Sequence, residues 1–386
     1  MNFARIEPTA AQRELAEDVV GVLAERWTPD PWVLSLDHER PPRAVMEALA
    51  QRGWVHPQAP PDRGGAGLGP VEARLIELLF DELRLPTYAN EMILPTLRRH
   101  GSARLQELVL PDLESGRSTF CLGFTEPDSG SDMAAARTRA VRVGDDWVID
   151  GTKMFTTWAE SADYVFLLAR TGELADKHGG LTLFLVPMDT PGIEARPIFA
   201  MGGVRTNVTY YREVPVPDMY RLGEVGAGWR VVSEPLATEH GVTAPSLVDD
   251  LNGDMGKAST RVLEALVERF VSWAARPEVA GGSPPLEDPS VRLAVLDALQ
   301  DIEVCWSVPS SYGKVVAAEA LQRHADTLLG LAGPAGLLGP GEPGGAVDGI
   351  LAWARTFAPA TDVYGGTSEV YRNNIARQGL GLPRPR

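Results

Sequence analysis

Apolar residues fall at helical spacing from the start of the chain. Thr9-Ala-Ala-Gln12 has the form of a capping box, and Leu15, Val19, Val22 and Leu23 follow on one face. The same periodicity predicts helices over 41–52, 71–83 and 102–115, interrupted by the turn-rich stretch 60–69. The texture then changes to strands. Residues 140–150 read as a hairpin around a Gly-Asp turn, and 164–169, 181–188 and 207–216 are β-rich runs bounded by Gly, Pro and Asp. From Gly228 the helical period returns, with long amphipathic segments at 262–275, 291–306 and 312–331. Gly/Pro-rich loops are expected at 281–285 and 333–345. No internal repeat is visible. The pattern predicts an α+β multi-domain chain: an N-terminal α-helical domain over 1–115, a middle β domain over 116–225 and a C-terminal α-helical domain over 226–386.

Composition narrows the function classes. The 386 residues carry 36 basic and 52 acidic side chains, a net charge of −16. No cationic surplus exists to displace phosphate counterions, so nucleic acid is not an expected partner. Cys121 and Cys305 are too few and too far apart for a disulfide framework or a zinc knuckle, which suits a reducing compartment. Neither a signal-peptide core nor a run of about twenty apolar residues occurs, so no membrane span is expected and the cytoplasm is the expected location.

Common catalytic signatures are missing: there is no G-x-S-x-G elbow, P-loop or H-E-x-x-H. His38, His56, His100, His178, His240 and His324 stand without metal-ligand spacing, and no metal is expected. Gly64-Gly-Ala-Gly-Leu-Gly69 lacks dinucleotide spacing and follows no strand, so it reads as a loop. The informative stretch is Leu122-Gly-Phe-Thr-Glu-Pro-Asp-Ser-Gly-Ser-Asp132, followed by Asp150-Gly-Thr-Lys-Met-Phe-Thr-Thr157. Thr125, Ser129, Gly130, Ser131, Thr156 and Thr157 offer hydroxyls and close backbone approach, suited to a flat ring with polar edges, and Phe155 could cover its face. On composition alone the same residues also serve as two polar turns of a β domain.

The full strings go further. T-E-P-x-x-G-S-D, then G-x-K-x-F-x-T, then Ala162-Asp163 and an aliphatic strand closing on Ala169-Arg170-Thr171 closely resemble the acyl-CoA dehydrogenase family. Tyr364-Gly-Gly-Thr-Ser-Glu-Val-Tyr-Arg-Asn-Asn-Ile-Ala-Arg377 and Gly379-Leu-Gly-Leu-Pro383 resemble its terminal signature. The likeness spans nearly the whole chain in register. It implies a helical domain, a β-barrel-like domain and a four-helix bundle. It also implies FAD as cofactor and removal of the α-proton and β-hydride from an acyl-CoA thioester to give a trans-2-enoyl product.

Residue by residue, the resemblance places Leu122, Phe124, Thr125, Gly130 and Ser131 along the flavin ring, with Phe155, Thr156 and Thr157 covering it and reaching its reactive nitrogen. Arg276 matches an arginine that pairs with the pyrophosphate, usually across a subunit interface, and a guanidinium fork suits phosphate oxygens. Gly333 lies in the counterpart of a Q-x-x-G-G-x-G stretch, here altered at Gly330 and Pro334. Thr367 and Glu369 match cofactor-contacting positions, and Ser131, His240 and Tyr364 are expected near substrate. The usual catalytic glutamate is replaced by Gly365, whose N–H is expected still to serve the thioester carbonyl. Glu239, in Leu236-Ala-Thr-Glu-His-Gly241, occupies an alternative base position used by some members. Its other reading is a carboxylate in the first turn of a helix.

The segment Thr206–Pro217 and the terminal character resemble actinobacterial members of the steroid and branched acyl type. Expected partners are an electron-transferring flavoprotein as acceptor and further subunits, as a homodimer, a homotetramer or a heteromer with a related chain. A non-catalytic half-site subunit, an acyl-CoA oxidase and a flavin monooxygenase are the alternatives.

Overall fold

The computed structural model describes residues 8–28, 41–83, 85, 90–239, 255–277, 283–308 and 310–383. It divides into two compact units: the N-terminal stretch with 39–198 and 206–235, and 199–205 with 236–386.

Among its described residues the first unit opens with the helices α1 (Ala10–Ala24), α2 (Arg43–Ala50), α3 (Pro70–Glu82), α4 (Asn90–His100) and α5 (Ala103–Glu114). The capping box is formed: Thr9 Oγ1 accepts from the Gln12 amide at 3.2 Å, and Gln12 Oε1 accepts from the Thr9 amide at 3.0 Å. The helical stripe behind it buries Val19 and Leu23 against Leu49, Trp54 and Ile76. The Gly64–Gly69 stretch folds back on itself as a loop, with the Gly67 amide donating to Ala59 O at 2.9 Å. A Cβ at Gly65 would lie 2.0 Å from that same carbonyl, which admits only glycine.

Packing strips water from the His56 imidazole and Arg98 adds like charge, pushing its pKa from 6.5 down to about 4 despite the opposing pull of Glu114. Unfolding therefore requires His56 to bind a proton whenever the pH lies between these values. The stability is complete above pH 6.5 and is lost as pH falls from 6.5 toward 4, by about 2 kcal/mol after allowing for residual solvent screening. Urea titrations across this range should show a flatter pH dependence for His56→Asn than for the parent. Parallel curves would disprove the assignment.

Eight strands follow: β1 (Phe120–Gly123), β2 (Arg139–Val143), β3 (Asp146–Lys153), β4 (Tyr164–Arg170), β5 (Leu181–Pro187), β6 (Ile193–Phe199), β7 (Arg205–Val216) and β8 (Arg221–Leu222). They form one mixed sheet in the order β6-β7-β3-β2-β4-β5-β8, with β1 also paired to β4. β1 and β2 run parallel to β4, while β2–β3, β3–β7, β4–β5 and β5–β8 are antiparallel. β4 and β5 are buried along nearly their whole length, which explains their unbroken apolar sequence.

Helix α6 (Gly228–Glu239) leads out of the sheet. In the second unit, α7 (Met255–Ala274), α8 (Pro289–Ser307), α9 (Ser310–Ala332) and α10 (Ile350–Thr361) pack together, with a short α11 (Ser368–Asn374) after them. Their common core includes Leu266, Phe270, Ile302, Leu321, Leu328, Leu351 and Phe357. Asp288 caps α8 by accepting from the Ser290 amide at 2.7 Å, with Pro289 at the first helical position. The 199–205 segment packs on α10: the Trp353 indole donates to Gly202 O at 2.8 Å, and a Cβ on Gly202 would lie 2.6 Å from Phe357 Cα. No described helix is long and apolar enough to cross a membrane, and no described cluster of His, Cys, Asp and Glu could hold a metal ion.

Candidate functional site

Within the first unit the two motif stretches meet. β1 places Gly123 opposite Leu167 on β4, where a Cβ would come within 2.9 Å of Val165 Cγ2. Phe124 then buries its ring edge-on against Phe166, with centroids 5.8 Å apart. The chain turns at Glu126–Ser129, closed by reciprocal amide bonds of 2.8 and 3.1 Å. Gly130 and Ser131 lie exposed just beyond, and Leu122 and Thr125 are half-buried. A Cβ on Gly130 would meet only Thr125 Cγ2, at 4.0 Å, so the backbone here is open to approach.

An ion pair locks this loop to the end of β3. Lys153, fully buried, donates to Glu126 Oε1 at 2.8 Å and to Phe124 O at 3.1 Å. The Glu126 carboxylate also accepts the amides of Arg137 at 2.6 Å and Thr138 at 2.8 Å. Burial pushes the Lys153 amine down to about 8 against the pull of Glu126. Burial would raise Glu126, but the Lys153 charge and the hydrogen bonds together hold its carboxyl below the ordinary range. Directly after the lysine, the Met154 amide donates to Thr125 O at 2.8 Å.

The turn that follows is strained. Phe155 and Trp158 both adopt left-handed backbone, at φ 56° and 63°, and the Phe155 ring is 58% exposed. Each such residue costs about 1–3 kcal/mol, and such strain clusters at functional sites. Thr156 is buried and Thr157 half-buried, its hydroxyl 3.4 Å from that of Thr206 on β7. An open glycine backbone, an outward aromatic ring and hydroxyls at Thr125, Ser131 and Thr157 fit a planar heteroaromatic group with polar edges.

The second unit carries the remaining predicted residues. Lys314 on α9, only 1% exposed, donates to the carbonyls of Tyr364 and Gly366, and its amine faces the Tyr371 and Tyr364 rings at 5.0 and 5.8 Å. Between them the backbone is left-handed at Gly365 (φ 61°) and Gly366 (φ 92°). Among the described residues the amides of Gly365 and Gly366 have no hydrogen-bond partner. Thr367 caps α11, its hydroxyl accepting from Val370 N at 3.3 Å. Glu369 is exposed, and its carboxyl is held below the ordinary range by its own backbone amide and the Thr367 hydroxyl, with Arg372 and Lys314 adding charge. Arg276 is exposed just past α7, and Gly333 opens a short 3₁₀ turn at φ 60° where a Cβ would meet nothing.

Glu239 stands well past the first turn of α6, so the first-turn dipole reading does not apply to it. His240 lies outside the described residues. The sequence reading missed the contacts of Glu126, Lys153 and Lys314. The first two stand inside the matched motifs, whose spacing was the available signal. Lys314 had none.

Known proteins match this architecture. Family models for the acyl-CoA dehydrogenase N-terminal, middle and C-terminal domains match residues 9–117, 121–214 and 305–380. Over 401 residues the chain is 31% identical to acyl-CoA dehydrogenase FadE29 of Mycobacterium tuberculosis, covering 98% of this chain and 99% of that one. It is 40% identical over 195 residues to cyclohexane-1-carbonyl-CoA dehydrogenase of Geobacter metallireducens, covering 48% of this chain and 50% of the relative. The solved Tcur3481–Tcur3483 steroid ACAD superposes with a TM-score of 0.79 at 29% identity, over 98% of this chain and 99% of that one. The ChsE4–ChsE5 complex from Mycobacterium tuberculosis gives 0.80 at 27% identity, over 99% and 100%. The chain belongs to the acyl-CoA dehydrogenases, the flavoprotein oxidoreductases whose cofactor is FAD, and is similar over its whole length to actinobacterial members of that family.

Proposed function

We propose that the chain dehydrogenates an acyl-CoA thioester between its α and β carbons, with Glu239 as the base for the α-proton. FAD, when bound, supplies the hydride acceptor. The observation that carries this reading is the junction of the two motif stretches through Lys153, Glu126 and the Met154–Thr125 bond. It brings Thr125, Gly130 and Ser131 beside the turn bearing Phe155, Thr156 and Thr157. In this reading Thr125, Ser131 and Thr157 hydrogen-bond the polar edges of the ring, Phe155 covers its face, and Leu122 and Phe124 back the loop. Arg276 neutralises pyrophosphate charge, and Gly333, Thr367 and Glu369 contact the remainder of the cofactor.

Acidifying the α-carbon requires donors on the thioester carbonyl oxygen. The unpartnered amides of Gly365 and Gly366, turned by left-handed backbone and braced by Lys314, suit that role. Replacing the acid at residue 365 with glycine removes a carboxylate while keeping the donor. Tyr364 and His240 are assigned to substrate contact. A bulky, polycyclic acyl group is the favoured substrate class, because the steroid ACAD is a full-length structural match. Electron-transferring flavoprotein is the proposed acceptor, and the cytoplasm the proposed location.

A second reading makes the chain one half of a heteromer. It is favoured by Gly365 and by two structural matches above 25% identity that each carry a paired name, Tcur3481–Tcur3483 and ChsE4–ChsE5. Purifying the chain alone with FAD separates the readings. A yellow protein that bleaches anaerobically on addition of steroid side-chain or branched acyl-CoA supports the dehydrogenase as a homo-oligomer. Retained flavin without bleaching, or no flavin, supports the half-site subunit. Hydrogen peroxide produced in air at the rate of turnover would replace the dehydrogenase with an oxidase.

A further inference from the structure

We propose that Asn207 is a positioning residue for the flavin site, holding the Phe155–Trp158 turn in the conformation that presents Phe155 and Thr157. The inference rests on the reading that this turn borders the flavin ring. Asn207 sits on β7 and is completely buried. Its main-chain carbonyl accepts from the Thr156 amide at 3.0 Å. Its side-chain nitrogen donates to Thr156 O at 3.0 Å and to Glu160 Oε2 at 2.7 Å. Thr156 is thereby gripped at both its amide and its carbonyl.

Both side-chain partners of Asn207 can only accept, so the amide orientation is fixed: the nitrogen faces the turn, and no flip satisfies the same contacts. The amide oxygen is buried without a partner among the described residues. A buried, unsatisfied acceptor is unfavourable, so stability of the strand alone does not account for an asparagine here. The account lies in what it grips. Thr156 directly follows Phe155 and stands two residues before Trp158, the two left-handed non-glycine residues of the turn. Conformations of that kind persist only where the surroundings over-determine them. Asn207 supplies three of the hydrogen bonds that do so, and Thr206 beside it meets the Thr157 hydroxyl.

Chemistry separates asparagine from its nearest analogue. Aspartate has the same shape but no N–H, so its oxygens would face a carbonyl and a carboxylate and push the turn away. Asn207→Asp is therefore the sharp variant, and Asn207→Ser tests the same loss without added charge should the aspartate chain fail to fold. Glu160→Gln keeps an acceptor for the amide and serves as the conservative control.

The measurements use the full chain with FAD: cofactor affinity by flavin fluorescence, the visible absorption spectrum of bound flavin, and hydrogen–deuterium exchange of the peptide spanning 154–160. Asn207→Asp or Asn207→Ser should weaken FAD at least about tenfold, shift the flavin spectrum and speed exchange at 156–158, with far-ultraviolet circular dichroism unchanged. Glu160→Gln should bind FAD within about twofold of the parent. Parent-like affinity, spectrum and exchange in both Asn207 variants would overturn the proposal. Phe155→Ala and Thr157→Val identify which idea has failed. If those two weaken FAD while the Asn207 variants do not, Asn207 alone is misassigned. If they too leave FAD untouched, the flavin is not at this turn and the proposal falls with that reading.

Discussion

Glu239→Gln is expected to bind FAD like the parent and to lose reduction of that flavin by acyl-CoA. A positioned general base contributes roughly 10²- to 10⁴-fold to proton abstraction, and the amide side chain keeps the shape of glutamate while losing its basicity. Anaerobic stopped-flow at the visible flavin band reads the loss directly, and equilibrium titration with FAD shows that the site is intact. Bleaching at the parental rate would remove Glu239 from the mechanism. A companion variant sharpens the test. Gly365→Glu on the Glu239→Gln background puts a carboxylate at the position where the family resemblance implies the usual catalytic glutamate. Residue 365 lies at φ 61°, where a side chain costs about 1–2 kcal/mol, a tolerable penalty. Partial recovery of bleaching would tie the lost step to a missing base and not to a disturbed fold.

The second large effect is structural. Lys153→Met should destabilise the first unit by about 3–5 kcal/mol, because it leaves the Glu126 carboxylate buried without its counter-charge. Glu126→Gln alone strands the ammonium group in the same way, although burial already makes that amine easier to neutralise. Both charges removed together, as Glu126→Gln with Lys153→Met, should recover most of the loss, since a buried pair replaced by side chains of similar volume is often close to neutral. Urea midpoints of the two single variants and the double variant give the coupling. A single-variant loss below about 1 kcal/mol would mean that water reaches the pair. Flavin content should fall in the single variants as well, because the same lysine holds Phe124 O beside the loop.

The sequence made the long regular elements legible and hid the short ones. The capping box at Thr9 and the unbroken apolar runs of β4 and β5 state their structure locally, so they are read without knowledge of the fold. Helix α4 carries Pro95 inside it, which reads as a break because proline removes a backbone donor. β1 is only four residues long and gains its identity from parallel pairing with β4, a partner far along the chain. β6 contains Pro197 and has no fully buried residue, so its pattern does not alternate between core and solvent.

The candidate site divides along the same line. Hydroxyls and glycines cluster within a few residues of one another, which suits a ring-binding surface and two polar turns alike, and the matched strings tipped the reading toward the ring. Lys153 and Glu126 are 27 residues apart, Asn207 and Thr156 are 51 apart, and Lys314 and Gly366 are 52 apart. Long-range pairs of this kind leave no periodicity or local composition to detect. Only the matched strings hinted at the first of them.

The two buried amines have a consequence for survival among activated acyl groups. Thioesters acylate free amines by aminolysis, and an enzyme that takes acyl-CoA works in the presence of such a reagent. The chain has four lysines: Lys153, Lys177, Lys257 and Lys314. Lys153 and Lys314, which brace the Phe124–Glu126 loop and the Gly365 turn, are sealed from solvent and committed to carbonyl and carboxylate partners. Lys177 is half-exposed and paired with Asp132, and Lys257 is half-buried. Most other cationic positions are arginine, which thioesters do not readily acylate. Adventitious acylation would therefore fall on Lys177 and Lys257 first, and the two buried amines would stay chemically untouched through repeated turnover.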